Sequence, residues 1–397
     1  MKSLSSLAGR ALSKTLIKKF RSSGLTIETP DGTIHRHNSI PQPGIAPLEI
    51  KDWSFFLDLL LGYDLGFAES YLQQKWAHPN LDELFEHLAN QTSGGQFNKL
   101  GSIAPSKLYS RLTQSIRSSN TVKQAGRNIS ELYDLSNEFF RGFLDPTMTY
   151  SCAIFDQNTN SLEQAQDFKT IKLLEAGPVR EGDEVLDVGC GWGNLTITAA
   201  RVYGANVCAI TISKNQLEYT QKKVRLQGLN HLVDVQLMDY RSVHGRFDHI
   251  FSIEMLEAVG HKGLTTFFER CAPIIRTKGT LQVQVITIPD DRYDSYRKNC
   301  DFIQKYIFPG GLLVPLKLLE KSASEAGFEI YNRFAIGDHY VRTLQMWKEN
   351  LSSNWESLIA SGFTQRDLRR FFYYFSYCEG AFRSGRINDY QISMRKT

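Results

Sequence analysis

The run Val185-Leu186-Asp187-Val188-Gly189-Cys190-Gly191-Trp192-Gly193 constrains this chain more than any other stretch. Its apolar start reads as a buried strand. It breaks into alternate glycines, and Leu195-Thr196-Ile197-Thr198-Ala199-Ala200 follows as a helix. Strand, tight turn and helix in that order form the unit of a doubly wound α/β sheet. Such turns bind small molecules, because glycine lets a ligand approach the backbone and the free N–H groups of the helix start favour a carboxylate or phosphate.

Two nucleotide loops compete for this pattern. The dinucleotide fingerprint G-x-G-x-x-G needs its third glycine at Asn194 or Thr196, and an acidic residue about 20 positions on to hold the ribose. Neither is present. The second strand, Val207-Cys208-Ala209-Ile210-Thr211-Ile212-Ser213, ends instead in hydroxyl residues. The pattern D-x-G-x-G-x-G over Asp187, Gly189, Gly191 and Gly193 resembles the nucleotide loop of S-adenosylmethionine-dependent methyltransferases, which implies S-adenosyl-L-methionine as the cofactor.

At 397 residues with 42% hydrophobic content, the chain has material for a large core and more than one domain. Cys152, Cys190, Cys208, Cys271, Cys300 and Cys378 are scattered, with no C-x-x-C pair and no secretory signal. We therefore expect reduced thiols in a cytoplasmic setting, with neither a metal centre nor a disulfide framework. No run of about 18 uncharged apolar residues occurs, since the best candidate, Trp53 to Tyr63, is interrupted by Asp58. A membrane-spanning protein is excluded on this reading.

The net charge of +4 is small but unevenly placed. No acidic residue lies between Glu86 and Glu131, while Lys99, Lys107, Arg111, Arg117, Lys123 and Arg127 do. With Leu108, Leu112 and Ile116 on one helical face, the segment suits either an anionic membrane surface or a solvated linker docked on a neighbouring domain. The first twenty residues repeat the theme: Leu4, Leu7, Ala8, Ala11 and Leu12 share a side, interleaved with Arg10, Lys14, Lys18 and Lys19. A surface helix, a membrane-touching helix and an organelle transit peptide all fit them. From Leu25 to about Asn90, an extended Thr26-Ile27-Glu28-Thr29, a Pro30-Asp31-Gly32 turn, a packed Trp53 to Gly62 and a polar helix near Leu81 to Leu88 suggest a small α+β domain. We divide the chain into residues 1–97, a lipid-facing α+β domain; 98–127, a basic linker; and 128–397, the methyltransferase domain.

The third segment carries the family signal. Tyr133-Asp134-Leu135-Ser136-Asn137-Glu138-Phe139-Phe140 is followed by Leu144-Asp145-Pro146-Thr147-Met148-Thr149-Tyr150-Ser151-Cys152-Ala153, with G-F-A-E-S-Y at Gly66 to Tyr71 upstream. This pattern closely resembles the cyclopropane-fatty-acyl-phospholipid synthase family, which also contains the mycolic acid cyclopropane synthases, and the resemblance covers essentially the whole chain. It implies a Rossmann-like fold in which Tyr133, Tyr150, Ser151, Gly189, Gly191 and Gly193 meet the methionine end of S-adenosylmethionine. Thr211 and Gln216 correspond to ribose and methionine-side contacts, and Asp239-Tyr240 to the adenine edge. Gln216 also reads as part of a capping box from Ser213, and Asp239 as a helix cap or solvated turn.

The same resemblance aligns Glu257 with the carboxylate that helps hold a bicarbonate ion, together with Cys152 and Tyr340. Each has a plainer reading as well: a helix-start charge, a packed thiol and an anchored core aromatic. Cys378 matches a cysteine once considered a nucleophile, a role that direct attack by an alkene does not need. Two departures stand out, Leu132 before Tyr133-Asp134 and Gln284 on the fifth strand, both at positions where the family usually has histidine. Glutamine donates a hydrogen bond but does not titrate.

The implied reaction is methyl transfer to the double bond of an unsaturated phospholipid acyl chain, after which bicarbonate takes a proton so that a cyclopropane closes. Positioning and exclusion of water supply much of the rate. The alternatives are methylation without ring closure, whose product a partner redox enzyme would process, and small-amine N-methylation. The expected setting is the inner face of the membrane, with peripheral association, no nucleic acid, and room for a homodimer.

Overall fold

The computed structural model describes residues 4–22, 24–36, 46–92 and 136–397. The basic interval at 98–127 and Tyr133 lie outside the described residues. The chain divides into two compact units. Of the described residues, the first takes those up to 92 together with 298–307 and 359–386, and the second takes 136–297, 308–358 and 387–397. The contiguous 128–397 segment expected above is thus corrected, because two excursions from it pack with the first unit. Lys305 Nζ and Tyr306 Oη both donate to Glu69 Oε1, at 2.6 and 2.5 Å. The backbone at Gly380 lies so close to Phe85 that an added Cβ would stand 2.6 Å from the Phe85 Cβ. Periodicity reports one element at a time, so it does not register such long-range closures.

In the first unit, strands β1 (Ile27–Glu28), β2 (Ile34–His35), β3 (Leu48–Ile50) and β4 (Trp76–Ala77) form a sheet in the order β2-β1-β3-β4. Trp76 is fully buried, stacked on Phe67 with centroids 4.3 Å apart, and its indole N–H donates to the Phe67 carbonyl at 2.9 Å. The helix Leu4–Ser22 buries Gly9, Ser13, Leu16, Ile17 and Phe20, a stripe of helical spacing. At Gly9 the helix runs against Trp53, where a Cβ would stand 1.9 Å from the Trp53 carbonyl oxygen, so only glycine permits this approach. The side that carries Leu4, Leu7, Ala8, Ala11 and Leu12 is not this buried stripe: Leu4 and Leu7 are 87% and 54% exposed. The helix Phe55–Leu72 breaks at Tyr63 (φ 54°, ψ −124°) and leaves Leu61 56% exposed, so the run to Gly62 is not wholly packed as expected.

The second unit is built on a seven-stranded sheet. Its strands are β5 (Glu184–Val188), β6 (Asn206–Thr211), β7 (Val233–Leu237), β8 (Phe247–Ile253), β9 (Ile275–Thr287), β10 (Phe328–Ala335) and β11 (Asn388–Lys396), in the order β10-β11-β9-β8-β5-β6-β7. Strands β5 to β9 pair in parallel and β11 runs antiparallel to both its neighbours. Alternate residues face opposite layers. Leu186, Ile250, Leu281 and Val283 pack with Phe267 and Phe268 on one face, while Val185, Ala209 and Phe251 pack with Leu173, Leu195 and Ile197 on the other. This is the doubly wound Rossmann-like sheet that the glycine turn implied. From β5 the chain winds outward to β6 and β7, then returns to β8 on the other side, so the carboxyl ends of β5 and β8 flank the switch point where ligands bind in such folds.

Candidate active site

The glycine turn presents the features of a ligand cradle. Gly189, Gly191 and Gly193 have φ of +81°, +55° and +85°, left-handed values that L side chains resist. A Cβ at Gly193, which starts the helix Asn194–Tyr203, would stand 2.5 Å from Thr220 Cγ2. At Gly191 it would meet nothing within 4 Å. Gly193 is thus needed for packing, whereas Gly191 borders open space. Asp187 is buried at the end of β5, where its Oδ2 accepts from Thr196 Oγ1 at 2.7 Å and burial pushes its pKa up to about 6.

The neighbouring strand ends complete this edge. Thr211 Oγ1 donates to Gln216 Oε1 at 2.7 Å, while Ser213 caps the helix Lys214–Leu226 by accepting from the Gln216 N–H. The Gln216 side chain therefore turns to Thr211, not back to the cap. Met238 N donates to the Thr211 carbonyl, which brings the Asp239-Tyr240 turn beside β6. Asp239 caps that turn and accepts from the Arg241 backbone N–H, Nε and Nη2. Burial pushes the Asp239 carboxyl up, but the Arg241 bonds prevail and hold it below the usual range. Burial pushes Tyr240 up to about 12. Open space at Gly191 with hydroxyl, amide and carboxylate groups at three adjacent strand ends suits a nucleoside with an amino-acid tail.

A second group of polar side chains gathers where β8 ends. Glu254, whose φ of +47° is unusual for a residue with a side chain, accepts at Oε1 from Cys152 N and Gln284 Nε2, both at 2.8 Å, and at Oε2 from Tyr340 Oη at 2.6 Å. Gln284 Nε2 also lies 3.2 Å from Asp389 Oδ2, and Gln284 Oε1 accepts from Gln391 Nε2. Burial and the neighbouring Glu254 and Glu257 carboxylates push Asp389 far up.

The structure therefore brings Cys152, Gln284 and Tyr340 together as expected, but around Glu254 and not Glu257. Glu257 sits on the short turn Leu256–Ala258, which directs its Oε1 to the Ile286 N–H at 2.6 Å. Its Oε2 is buried with no hydrogen-bond partner among the described residues, and burial, with Glu254 adding to it, pushes the pKa up to about 8. The donors that the resemblance assigns to a bicarbonate ion point here at the Glu254 carboxylate. The Cys152 thiol contacts the Ala153 and Ile336 carbonyls at 3.2 and 3.6 Å and is pushed well up by burial, the state of a packed thiol and not of a nucleophile. Cys378 lies half-buried on the helix Gln365–Arg383 of the first unit and is not among the groups gathered at Glu254.

Sequence reading missed Glu254, Asp389 and Lys169. The last is fully buried on the helix Leu162–Ala176 and donates to Ser151 Oγ at 2.9 Å. Glu254 carried a usable signal, since it follows β8 directly, where catalytic groups of such sheets are found; Asp389 carried none, being some hundred residues downstream. Aromatic rings border this cluster. Trp347 lies 6.1 Å from Tyr340 and 5.2 Å from Tyr150 between ring centroids, and Phe140 links Tyr150 (5.5 Å) to Trp192 of the glycine turn (4.9 Å). Such faces favour a cation nearby.

Known proteins share this arrangement of elements. The family model described as mycolic acid cyclopropane synthetase matches residues 120–392. A tuberculostearic acid methyltransferase of Mycobacterium tuberculosis is 35% identical over 341 residues, 83% of this chain and 78% of that protein. The cyclopropane-fatty-acyl-phospholipid synthase of Escherichia coli is 33% identical over 352 residues, 87% of each chain. Among solved structures, a cyclopropane synthase from Mycobacterium tuberculosis matches with a TM-score of 0.64 at 32% identity, covering 68% of this chain and 98% of that one. A mycolic acid cyclopropane synthase in complex with SAH and CTAB matches with the same TM-score, identity and coverage.

Proposed function

The chain belongs to the mycolic acid cyclopropane synthetase family and is an S-adenosylmethionine-dependent methyltransferase, and from that premise we propose that it methylates the double bond of an unsaturated acyl chain in a phospholipid. The observation that carries the reading is the adjacency of an open glycine cradle to a buried cluster of acids and aromatics at the switch point of one sheet. S-adenosylmethionine supplies an electrophilic methyl group. Gly189 to Gly193, Thr211, Gln216 and Asp239-Tyr240 would hold its nucleoside and amino-acid parts, with Tyr150 and Ser151 toward the methionine end. The rings of Tyr150, Trp347 and Tyr340 exclude water and favour the positive charge that the alkene acquires.

Ring closure gives the cyclopropane. The product without a ring is favoured by Gln284, which does not titrate, and by a relative named as a tuberculostearic acid methyltransferase; its completion would call on a partner redox enzyme. No helix among the described residues is long and apolar enough to cross a membrane. Exposed Leu4, Leu7 and Leu61 on the first unit, with exposed Lys14 and Lys18, support peripheral association with an anionic lipid surface. The test is incubation with dioleoyl phosphatidylglycerol vesicles and methyl-labelled S-adenosylmethionine, followed by lipid mass spectrometry and NMR. Acyl chains should gain label and one CH2, with NMR separating ring from branched alkene; unlabelled lipid in the presence of active methyl transfer to small amines would overturn the reading.

A further inference from the structure

Loss of a proton from the methylated chain requires a base in a dry site, and the groups suited to holding an external anion there are engaged by a side chain of this protein. Cys152 N, Gln284 Nε2 and Tyr340 Oη converge on one carboxylate at 2.6 to 2.8 Å. We propose that Glu254 is the proton acceptor of the reaction, an internal carboxylate in the part that a bound bicarbonate would otherwise play. The proposal rests on the acyl-chain reading above and adds its base.

Three further observations support it. Glu254 keeps a left-handed backbone (φ +47°), a conformation that residues with a side chain resist and that persists where a site requires it. It stands at the end of β8, and the next residue, Met255, packs on the glycine turn, its Cγ 2.9 Å from where a Gly189 Cβ would be. The other acids of the cluster do not receive these three donors: Glu257 Oε1 accepts from the Ile286 N–H instead, and burial pushes both Glu257, to about 8, and Asp389 up. Gln284 suits this arrangement because its amide N–H donates to the carboxylate at any pH and never competes for the proton.

The step balances. The methyl carbon's bond to sulfur breaks as the alkene π pair forms the new carbon–carbon bond, and the positive charge passes from sulfur to the neighbouring carbon. Glu254 then takes a proton, either from the transferred methyl group, for ring closure onto the cationic carbon, or from a carbon beside the cation, for an alkene. The C–H pair becomes either the closing bond of a ring or a new C=C bond, and the carboxylic acid returns its proton to solvent.

The experiment uses the full chain with dioleoyl phosphatidylglycerol vesicles and S-adenosylmethionine, reading S-adenosylhomocysteine for methyl transfer and NMR of the lipid for the deprotonated product. Wild type should give the same rate and product in carbonate-stripped and bicarbonate-supplemented buffer. Glu254→Gln keeps the size of the side chain and one acceptor oxygen but cannot take the proton; deprotonated product per S-adenosylhomocysteine should fall on the order of 10²-fold with the fold retained. Glu254→Gly is at ease with the left-handed backbone and frees the three donors, so added bicarbonate should restore product in this variant alone. Carbonate-dependent wild type, or a folded Glu254→Gln with wild-type product yield, would overturn the assignment of the base while leaving methyl transfer intact. Wild type that forms no S-adenosylhomocysteine on these vesicles would overturn the acyl-chain reading, and the proton acceptor with it.

Discussion

Glu257→Gln should stabilise this protein, and by an amount that depends on pH. The Glu257 carboxyl is fully buried, and its pKa is raised from 4.5 to about 8 by burial and by the Glu254 charge. The folded state therefore holds this proton more tightly than the unfolded chain does. With the folded value above the unfolded one in an acid, the folded form is favoured at low pH and loses stability as pH rises from about 4.5 to about 8. At 1.36 kcal/mol per pH unit, the rise from 4.5 to 7 costs about 3 kcal/mol, and the full interval to pH 8 about 5 kcal/mol. Glutamine carries no titrating proton, and its Oε1 still accepts from the Ile286 N–H that Glu257 engages at 2.6 Å. The variant should match wild type near pH 4 and exceed it at pH 7 by roughly 6–12 °C in melting temperature, at about 2–4 °C per kcal/mol for a domain of this size. Differential scanning calorimetry across that range reads the effect. An equal pH dependence in both proteins, or a variant less stable at pH 7, would refute the description of Glu257 as a buried acid that stays protonated.

The glycine turn separates binding from folding. Gly191→Val places a branched side chain in open space at φ +55°, so it should cost about 1–2 kcal/mol of backbone strain and remove S-adenosylmethionine affinity by more than about a hundredfold in calorimetry. Gly193→Val, with its Cβ 2.5 Å from Thr220 Cγ2, should instead fail first in stability; full affinity in a folded Gly191→Val would sink the cradle assignment. On the first unit, replacing Leu4 and Leu7 together by serine should weaken co-sedimentation with anionic vesicles by about tenfold, or about 1.4 kcal/mol, because apolar area no longer enters the lipid. Unchanged sedimentation would assign membrane contact to another surface.

The sequence by itself determined the elements and the cofactor class. Val185 to Gly193 could only be a strand entering a glycine turn, because a continuous apolar run and the positive φ of clustered glycines are local properties that the residues express wherever the chain folds. Thr211 and Gln216 were each named from the sequence, but the hydrogen bond between them, across one strand-to-helix turn, is seen only in the fold. The motifs around Tyr150 and Tyr340 likewise named residues that the fold brings to one aromatic ring, Trp347. What they could not give was which carboxylate the donors reach. Glu254 and Glu257 are three residues apart, and the choice between them follows from where β8 ends, from the left-handed turn at Glu254 and from the register of β9, which puts the Ile286 N–H in front of Glu257. Asp389 joins them only because β11 pairs antiparallel with β9, opposite Ile286. The buried face of the first helix was decided in the same way, by the approach of Trp53 to Gly9 and not by the count of leucines. Local periodicity fixes what each segment can be; contacts between segments far apart in the chain, closed through packing and sheet register, fix which of several equivalent side chains is placed to act.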